Sequence, residues 1–172
     1  MKIRRVVTAG TREQPKFVDE QLDARRPPLI GNEMIRLLAF DAPPSLPIAE
    51  PPVVEGTRFF PPPGGVRIAK WTIPAKGTTV IPEATAENRA ETEAIVPGML
   101  DTHHEADGLH ATSTVDVQYV ISGSVTVLLG NGVETTLEAG EMLVIDGQHH
   151  AWRNPGNEKC ELLGIFYGGT IA

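Results

Sequence analysis

The sequence is poor in cysteine, in long apolar runs and in clustered basic residues. Cys160 is the only cysteine among 172 residues, so an intramolecular disulfide is impossible and a zinc site built on cysteines is excluded. No apolar run has the length of a signal peptide or a membrane span. No basic stripe or polybasic patch is present that would bind nucleic acid or anionic lipid. These absences predict a cytoplasmic protein that binds neither nucleic acid nor membranes.

Acidic charge is concentrated in one region. The formal net charge is −7, and residues 82–107 contain seven acidic residues against the single base Arg89, which accounts for −6 of it. Within this region "ATAENRAETEAIV" has helix-forming composition, with Thr85 as the expected N-cap and Pro97 and Gly98 as the expected end. We expect a solvated acidic segment that contains one short helix.

Turn-forming residues are abundant. With 17 Gly and 15 Pro, the chain favours many turns over long helices. After residue 108, strand-length runs alternate with Gly, Asn and Asp turns at the spacing of a β-sandwich or a small barrel. Eight prolines lie between residues 41 and 65 and predict an extended arm. The length fits one mostly β domain.

The stretch "HATSTVDVQ" carries polar side chains at every second position. Because residues two apart in a strand face the same side, we expect one polar face and one apolar face. The polar face consists of His110, Thr112, Thr114, Asp116 and Gln118, and the apolar face of Val115, Val117, Tyr119 and Ile121. A later run, "HHAWRN", contains His150 and, two residues on, Trp152.

These two stretches resemble the two motifs of the cupin family. In the first motif Asp116 takes the carboxylate position and Gly123 the closing glycine, while the two histidine positions fall on His110 and Thr112. In the second motif the matching residues are Gly140, Gly147, His150 and Asn154. The sequence is most similar to a subgroup of single-domain cupins that read H-x-T-x-T-x-D in the first motif and G-x-x-H-A-W-R-N in the second.

The resemblance implies a fold and a division of the chain. The fold is mostly β, a cupin (RmlC-like jelly-roll) β-barrel with an N-terminal strand layer and one short helical excursion. Residues 1–40 would then be N-terminal strands packed on the barrel, residues 41–64 a proline-rich arm, and residues 65–172 the barrel, with an acidic helical insertion at 76–107. Cupins of this kind usually pair through their sheets, which implies a homodimer.

The resemblance also implies a site inside the barrel. His110, Asp116 and His150 would hold a divalent metal such as Fe, Mn, Ni or Zn in a 2-His-1-carboxylate arrangement. Thr112 stands where cupins usually have another histidine, and Asp116 where they have glutamate. Thr112, Thr114, Gln118 and Trp152 would contact the substrate. His103 and His104, just upstream, are further candidate ligands, and a metal-free polar network of the same residues is the alternative.

Two functions are therefore open. The first is a metal-dependent enzyme, namely an oxygenase, isomerase, decarboxylase or lyase, acting on a small organic metabolite. The second is a metal-free cupin that binds a small ligand without catalysis. The sequence itself does not identify a substrate or a reaction, because the cupin fold serves many activities.

Overall fold

The computed structural model of the chain describes residues 1–102 and 108–170. The histidines His103 and His104 lie outside the described residues. In these described ranges, ten strands are grouped into three antiparallel sheets. Their bounds are β1 Lys2–Gly10, β2 Pro15–Asp23, β3 Met34–Phe40, β4 Val66–Ile73, β5 Thr114–Ser122, β6 Ser124–Leu129, β7 Glu134–Glu138, β8 Met142–Asp146, β9 His150–Arg153 and β10 Cys160–Gly168.

A five-stranded and a three-stranded sheet enclose the core. The first has the order β3-β4-β10-β5-β8 and the second β7-β6-β9. Buried side chains from both sheets form one cluster, to which Trp71 and Leu162 come from the larger sheet and Val125 and Leu137 from the smaller. This arrangement confirms the expected mostly β barrel of jelly-roll type.

The turn from β5 into β6 explains the closing glycine of the first motif. Gly123 has φ +74°, and a Cβ at this position would lie 2.9 Å from the carbonyl oxygen of Lys159. Both the left-handed backbone and the close approach favour glycine. Gly123 thus lets the chain pass from the larger sheet into the smaller one.

The N-terminal third contributes more to the barrel than a separate layer would. Strands β1 and β2 form their own hairpin, but β3, which the sequence groups with them, pairs along β4 at the edge of the larger sheet. The arm that follows packs on its own chain: Gly10 donates its N–H to the carbonyl of Ile48 at 3.0 Å, and Phe59 donates to Pro97 at 2.8 Å. Phe59, at the end of the arm, is buried in the core.

The acidic insertion contains the expected helix, α1 Ala86–Ile95. The Thr85 hydroxyl accepts a hydrogen bond from the Asn88 N–H at 3.2 Å, which makes it the N-cap that the sequence predicts. After the helix, Val96 and Met99 are buried in the core, and a single 3-10 turn follows at Leu100–Thr102. In the described part of the chain, no helix combines the length and the apolar character needed to cross a membrane.

Candidate functional site

Strand β5 directs alternate polar side chains into the barrel. Thr114, Asp116 and Gln118 are buried, whereas Val115 and Tyr119, which have the opposite parity, are exposed on the outer face. The two-residue periodicity of the strand produces this division. The face that the sequence analysis assigns to polar residues is therefore the inner face.

His110 and His150 meet at the same end of the barrel. Their backbones form an isolated bridge, with reciprocal N–H to carbonyl bonds of 3.0 and 2.9 Å. Their ring centroids are 4.4 Å apart, with the planes inclined by 52°. His150, on β9, is almost fully buried, and His110 is half-buried. The two motif histidines, 40 positions apart in the sequence, thus form a close pair.

Each of these imidazoles is oriented by a main-chain carbonyl. Nδ1 of His110 lies 3.1 Å from the carbonyl oxygen of Gly108, and Nδ1 of His150 lies 2.8 Å from that of Gln148. A carbonyl only accepts, so Nδ1 must carry the proton in both rings, and the lone pair of a neutral ring is then on Nε2.

Asp116 is held by a chain of hydroxyl groups. Thr114 donates to Oδ1 of Asp116 at 2.6 Å, and the hydroxyls of Thr112 and Thr114 are 2.6 Å apart. Burial raises the pKa of the Asp116 carboxyl to about 6, an effect that the bond from Thr114 partly opposes. The carboxyl therefore changes its protonation near neutral pH.

Gln118 is fixed by Trp71 and by a glycine. The indole Nε1 of Trp71 donates to Oε1 of Gln118 at 3.1 Å. Across the sheet, Gly164 lies opposite Gln118, where a Cβ would come within 2.7 Å of that same oxygen. Trp152 packs edge-on against both Trp71 and His150, with centroid distances of 5.4 and 5.6 Å.

These groups surround one cavity, which we call the barrel pocket, with a volume of about 70 Å³. Its polar end is formed by His110, Asp116, Gln118 and His150, with Asn32 also in the lining. Its apolar walls are formed by Ile30, Met34, Phe59, Phe60, Trp71, Met99, Trp152 and Phe166. The pocket thus combines an aromatic wall with a small number of convergent polar groups, as small-molecule sites do.

The structure separates the predicted site residues into two groups. His110, Asp116, Gln118, His150 and Trp152 line the barrel pocket. Five N-terminal residues that the sequence did not indicate as site residues line it too, namely Ile30, Asn32, Met34, Phe59 and Phe60. Thr112 and Thr114 instead line a different groove. Thr114 donates a hydrogen bond to Asp116, and the Thr112 hydroxyl is hydrogen-bonded to that of Thr114. The adjacent aromatic residues Phe59 and Phe60, near the end of the proline arm, are the feature of the sequence that could have indicated part of this apolar wall.

The donor set fits a divalent metal only in part. Two imidazoles with their lone pairs on Nε2 are suitable ligands, and protonated Nδ1 bonded to a carbonyl is the usual environment of a metal-binding histidine. However, in residues 1–102 and 108–170 no three His, Cys, Asp or Glu side chains are arranged closely enough to hold a metal ion. The carboxylate of Asp116 does not complete the site as it is placed here.

A family model matches part of the chain. Residues 99–166 match the family model described as "Cupin domain". No curated protein matches the sequence.

Three solved structures are similar to the chain. The cupin domain of Cnp3 from Schizosaccharomyces pombe has a TM-score of 0.50 and 7% identity, with coverage of 96% of this chain and 87% of that one. A Cupin 2 conserved barrel domain protein from Salinispora arenicola has a TM-score of 0.45 and 12% identity over 84% and 81% of the two chains. An RmlC-like cupin family protein from Methanocaldococcus jannaschii has a TM-score of 0.40 and 10% identity, with coverage of 60% of this chain and 70% of that one. At this identity the first likeness shows a common fold alone.

Proposed function

Because residues 99–166 match the family model described as a cupin domain, we propose that this chain binds a small organic molecule in the barrel pocket without requiring a resident metal. The observation that carries the proposal is the polar end of that pocket, where His110, Asp116, Gln118 and His150 converge against an aromatic wall. Such a combination orients a ligand through its polar group while the walls exclude water from its body.

The dimensions of the pocket limit what fits. A dry cavity of about 150 Å³ holds benzene, whereas the barrel pocket has about 70 Å³. We therefore expect either a very small metabolite or a larger one that inserts only its polar end.

The pocket lining also includes groups that can exchange a proton with a bound ligand. The pKa of Asp116 is raised to about 6 by burial, which is the range in which a carboxyl serves as a general acid or base. Two imidazoles stand in the same lining. A metal-free reaction that moves a proton on the bound metabolite, such as an isomerisation, is compatible with these groups.

The second candidate function is the metal-dependent enzyme. The orientation of both imidazoles by main-chain carbonyls favours it, because this arrangement fixes Nε2 as the ligand atom. The carboxylate of Asp116 would have to move closer to join them, and a bound metal would then supply Lewis-acid or redox chemistry.

One preparation distinguishes the two functions. The protein is purified without a histidine tag, and its metal content and bound organic molecules are measured by elemental analysis and native mass spectrometry. Our proposal predicts substoichiometric metal and an organic ligand that is lost in Gln118→Leu. Near-stoichiometric metal that is lost in His150→Gln, but kept in the exposed neighbour variant His149→Gln, would instead establish the metal-dependent enzyme.

We also propose that the chain forms a homodimer through the outer face of the larger sheet. Three of its strands align apolar side chains in register: the exposed Tyr119 is opposite Met142 and the exposed Tyr167 opposite Val115, while the half-buried Val117 is opposite Val144. Residues 115–121 span about 20 Å and three strands about 14 Å. Contiguous apolar surfaces of a few hundred square ångströms are typical of interaction sites.

This face alone is smaller than the roughly 800 Å² per partner of a stable interface. The β1–β2 hairpin offers additional surface, because Phe17 is 78% exposed and Val6 46% exposed. We therefore expect the hairpin of each protomer to extend over the sheet of the other.

A further inference from the structure

A second cavity lies outside the barrel, between the β1–β2 hairpin, strand β3, the proline arm and helix α1. We call it the hairpin cavity. Its volume is about 420 Å³ and its lining includes Arg25, Arg36 and Glu55. A volume of this size suits a small organic molecule.

The guanidinium of Arg36 is the central charge of this cavity. It is half-buried, and within the described chain no carboxylate lies within ion-pairing distance of it, unlike Arg67, which pairs with Asp41. Burial, together with the nearby positive charge of Arg67, lowers the pKa of Arg36 to about 10. A cation in this position is destabilised because it has lost hydration without gaining a counter-ion.

Only one nitrogen of Arg36 is used by the fold. Its Nη2 donates to the carbonyl of Arg58 at 3.1 Å and to the hydroxyl of Thr57 at 2.5 Å. Among the described residues no fully buried side-chain nitrogen or oxygen lacks a hydrogen-bond partner, so Nε and Nη1 keep some contact with solvent. The guanidinium carbon also lies 5.9 Å from the centroid of the Phe59 ring. Both edges of a guanidinium that bind a carboxylate in a bidentate manner include Nη2, as Arg4 shows by holding Asp19 through Nε and Nη2. Nε and Nη1 of Arg36 can therefore each donate a single charge-assisted hydrogen bond to a carboxylate or phosphate.

The remaining lining adds a second cation and an apolar surface. Arg25 is exposed and, in the described residues, also has no ion pair. Leu22, Val54 and Ile95 provide apolar walls. The carboxylates of Glu55 and Asp23 also line the cavity and would repel an anion. That of Asp23 is paired with Lys2 at 3.3 Å.

We propose that the hairpin cavity is a second ligand site, which binds an organic acid of metabolite size. Its oxyanion is held by Arg36 and Arg25, and its apolar part lies against Leu22, Val54 and Ile95. Met34 lines both this cavity and the barrel pocket, so the two sites share a wall. The proposal does not depend on what the barrel pocket binds.

Calorimetric titration with hexanoate, and with hexan-1-ol as its uncharged counterpart, tests the site on the full chain. We expect saturable binding of hexanoate and at least about tenfold weaker binding of hexan-1-ol, because charge-assisted hydrogen bonds are lost. Arg36→Gln should weaken hexanoate binding by about tenfold or more. The variant should still fold, because both partners of Arg36 keep another hydrogen bond. The Arg58 carbonyl accepts one from Arg67 Nε at 2.9 Å, and the Thr57 hydroxyl donates one to the Val54 carbonyl.

A gain-of-binding variant excludes misfolding as the explanation. Glu55→Gln removes one of the two repelling carboxylates and should strengthen hexanoate binding several-fold, an outcome that a damaged fold cannot produce. Arg12→Gln, at an exposed turn, is the matched control and should change nothing. Absent hexanoate binding, equal affinity for the alcohol, or binding lost in His150→Gln but kept in Arg36→Gln would overturn the proposal.

Discussion

Replacement of Asp116 by asparagine is expected to stabilise the protein at high pH and to leave its stability nearly unchanged at low pH. Burial raises the pKa of this carboxyl from 3.8 to about 6 in the folded state. Below pH 3.8, the pKa of this carboxyl in the unfolded chain, the group is protonated in both the folded and the unfolded protein, so its burial does not lower the free energy of unfolding. As the pH rises through 6, the folded protein must ionise a buried group, and the stability that came from protonation is lost.

The magnitude follows from the shift. Each pKa unit corresponds to about 1.4 kcal/mol, so a shift of about two units amounts to about 3 kcal/mol at pH 8. An asparagine is uncharged at every pH, and its Oδ1 can still accept the bond from Thr114. The variant should therefore exceed the parent by up to about 3 kcal/mol at pH 8 and match it near pH 4.

Urea unfolding at pH 4, 6 and 8, with chelator present to keep metals away from the carboxylate, measures this difference. All other titrating groups are common to both proteins and cancel. Asp19→Asn is a control of opposite sign, because the bond from Arg4 lowers the pKa of Asp19 and its stabilising effect is present at pH 8 and lost in acid. A difference between Asp116→Asn and the parent that does not change with pH would refute the reasoning.

Three further variants test other features. Gly164→Ala places a Cβ 2.7 Å from Oε1 of Gln118, so it should weaken ligand binding and lower the free energy of unfolding by about 1–3 kcal/mol; unchanged binding would contradict the close approach. Thr85→Ala removes the N-cap of α1 and should cost about 1 kcal/mol in urea unfolding. Val144→Arg on the outer sheet face should shift light-scattering mass from dimer to monomer, whereas Val53→Arg on the arm should not; a dimeric Val144→Arg would disprove that interface.

Much of the local structure could be predicted because local rules determine it. The alternation in β5 specifies which residues share a face, and Asp116 and Gln118 are buried as that pattern requires. The helix begins at the residue after Thr85 because capping depends on a few neighbouring positions.

What could not be predicted depends on contacts between distant segments. The alternation of β5 does not reveal what lies across the barrel, and Asn32, Met34 and Phe60 reach the pocket from segments more than 50 positions upstream of Asp116. Pairing of β3 with β4 spans the whole proline arm, so no local pattern indicates it. The closeness of His110 and His150 likewise required the family resemblance, because spacing along the sequence carries no such information.

The positions of the tryptophans make the intrinsic fluorescence of the protein a probe of the barrel pocket. The chain has two tryptophans, and both line the barrel pocket in edge-on contact with one another. One indole is hydrogen-bonded to Gln118 and the other contacts the ring of His150. All of the protein's intrinsic indole emission therefore originates at the pocket wall, so a change in its intensity or wavelength reports directly on what enters that space, without any added label.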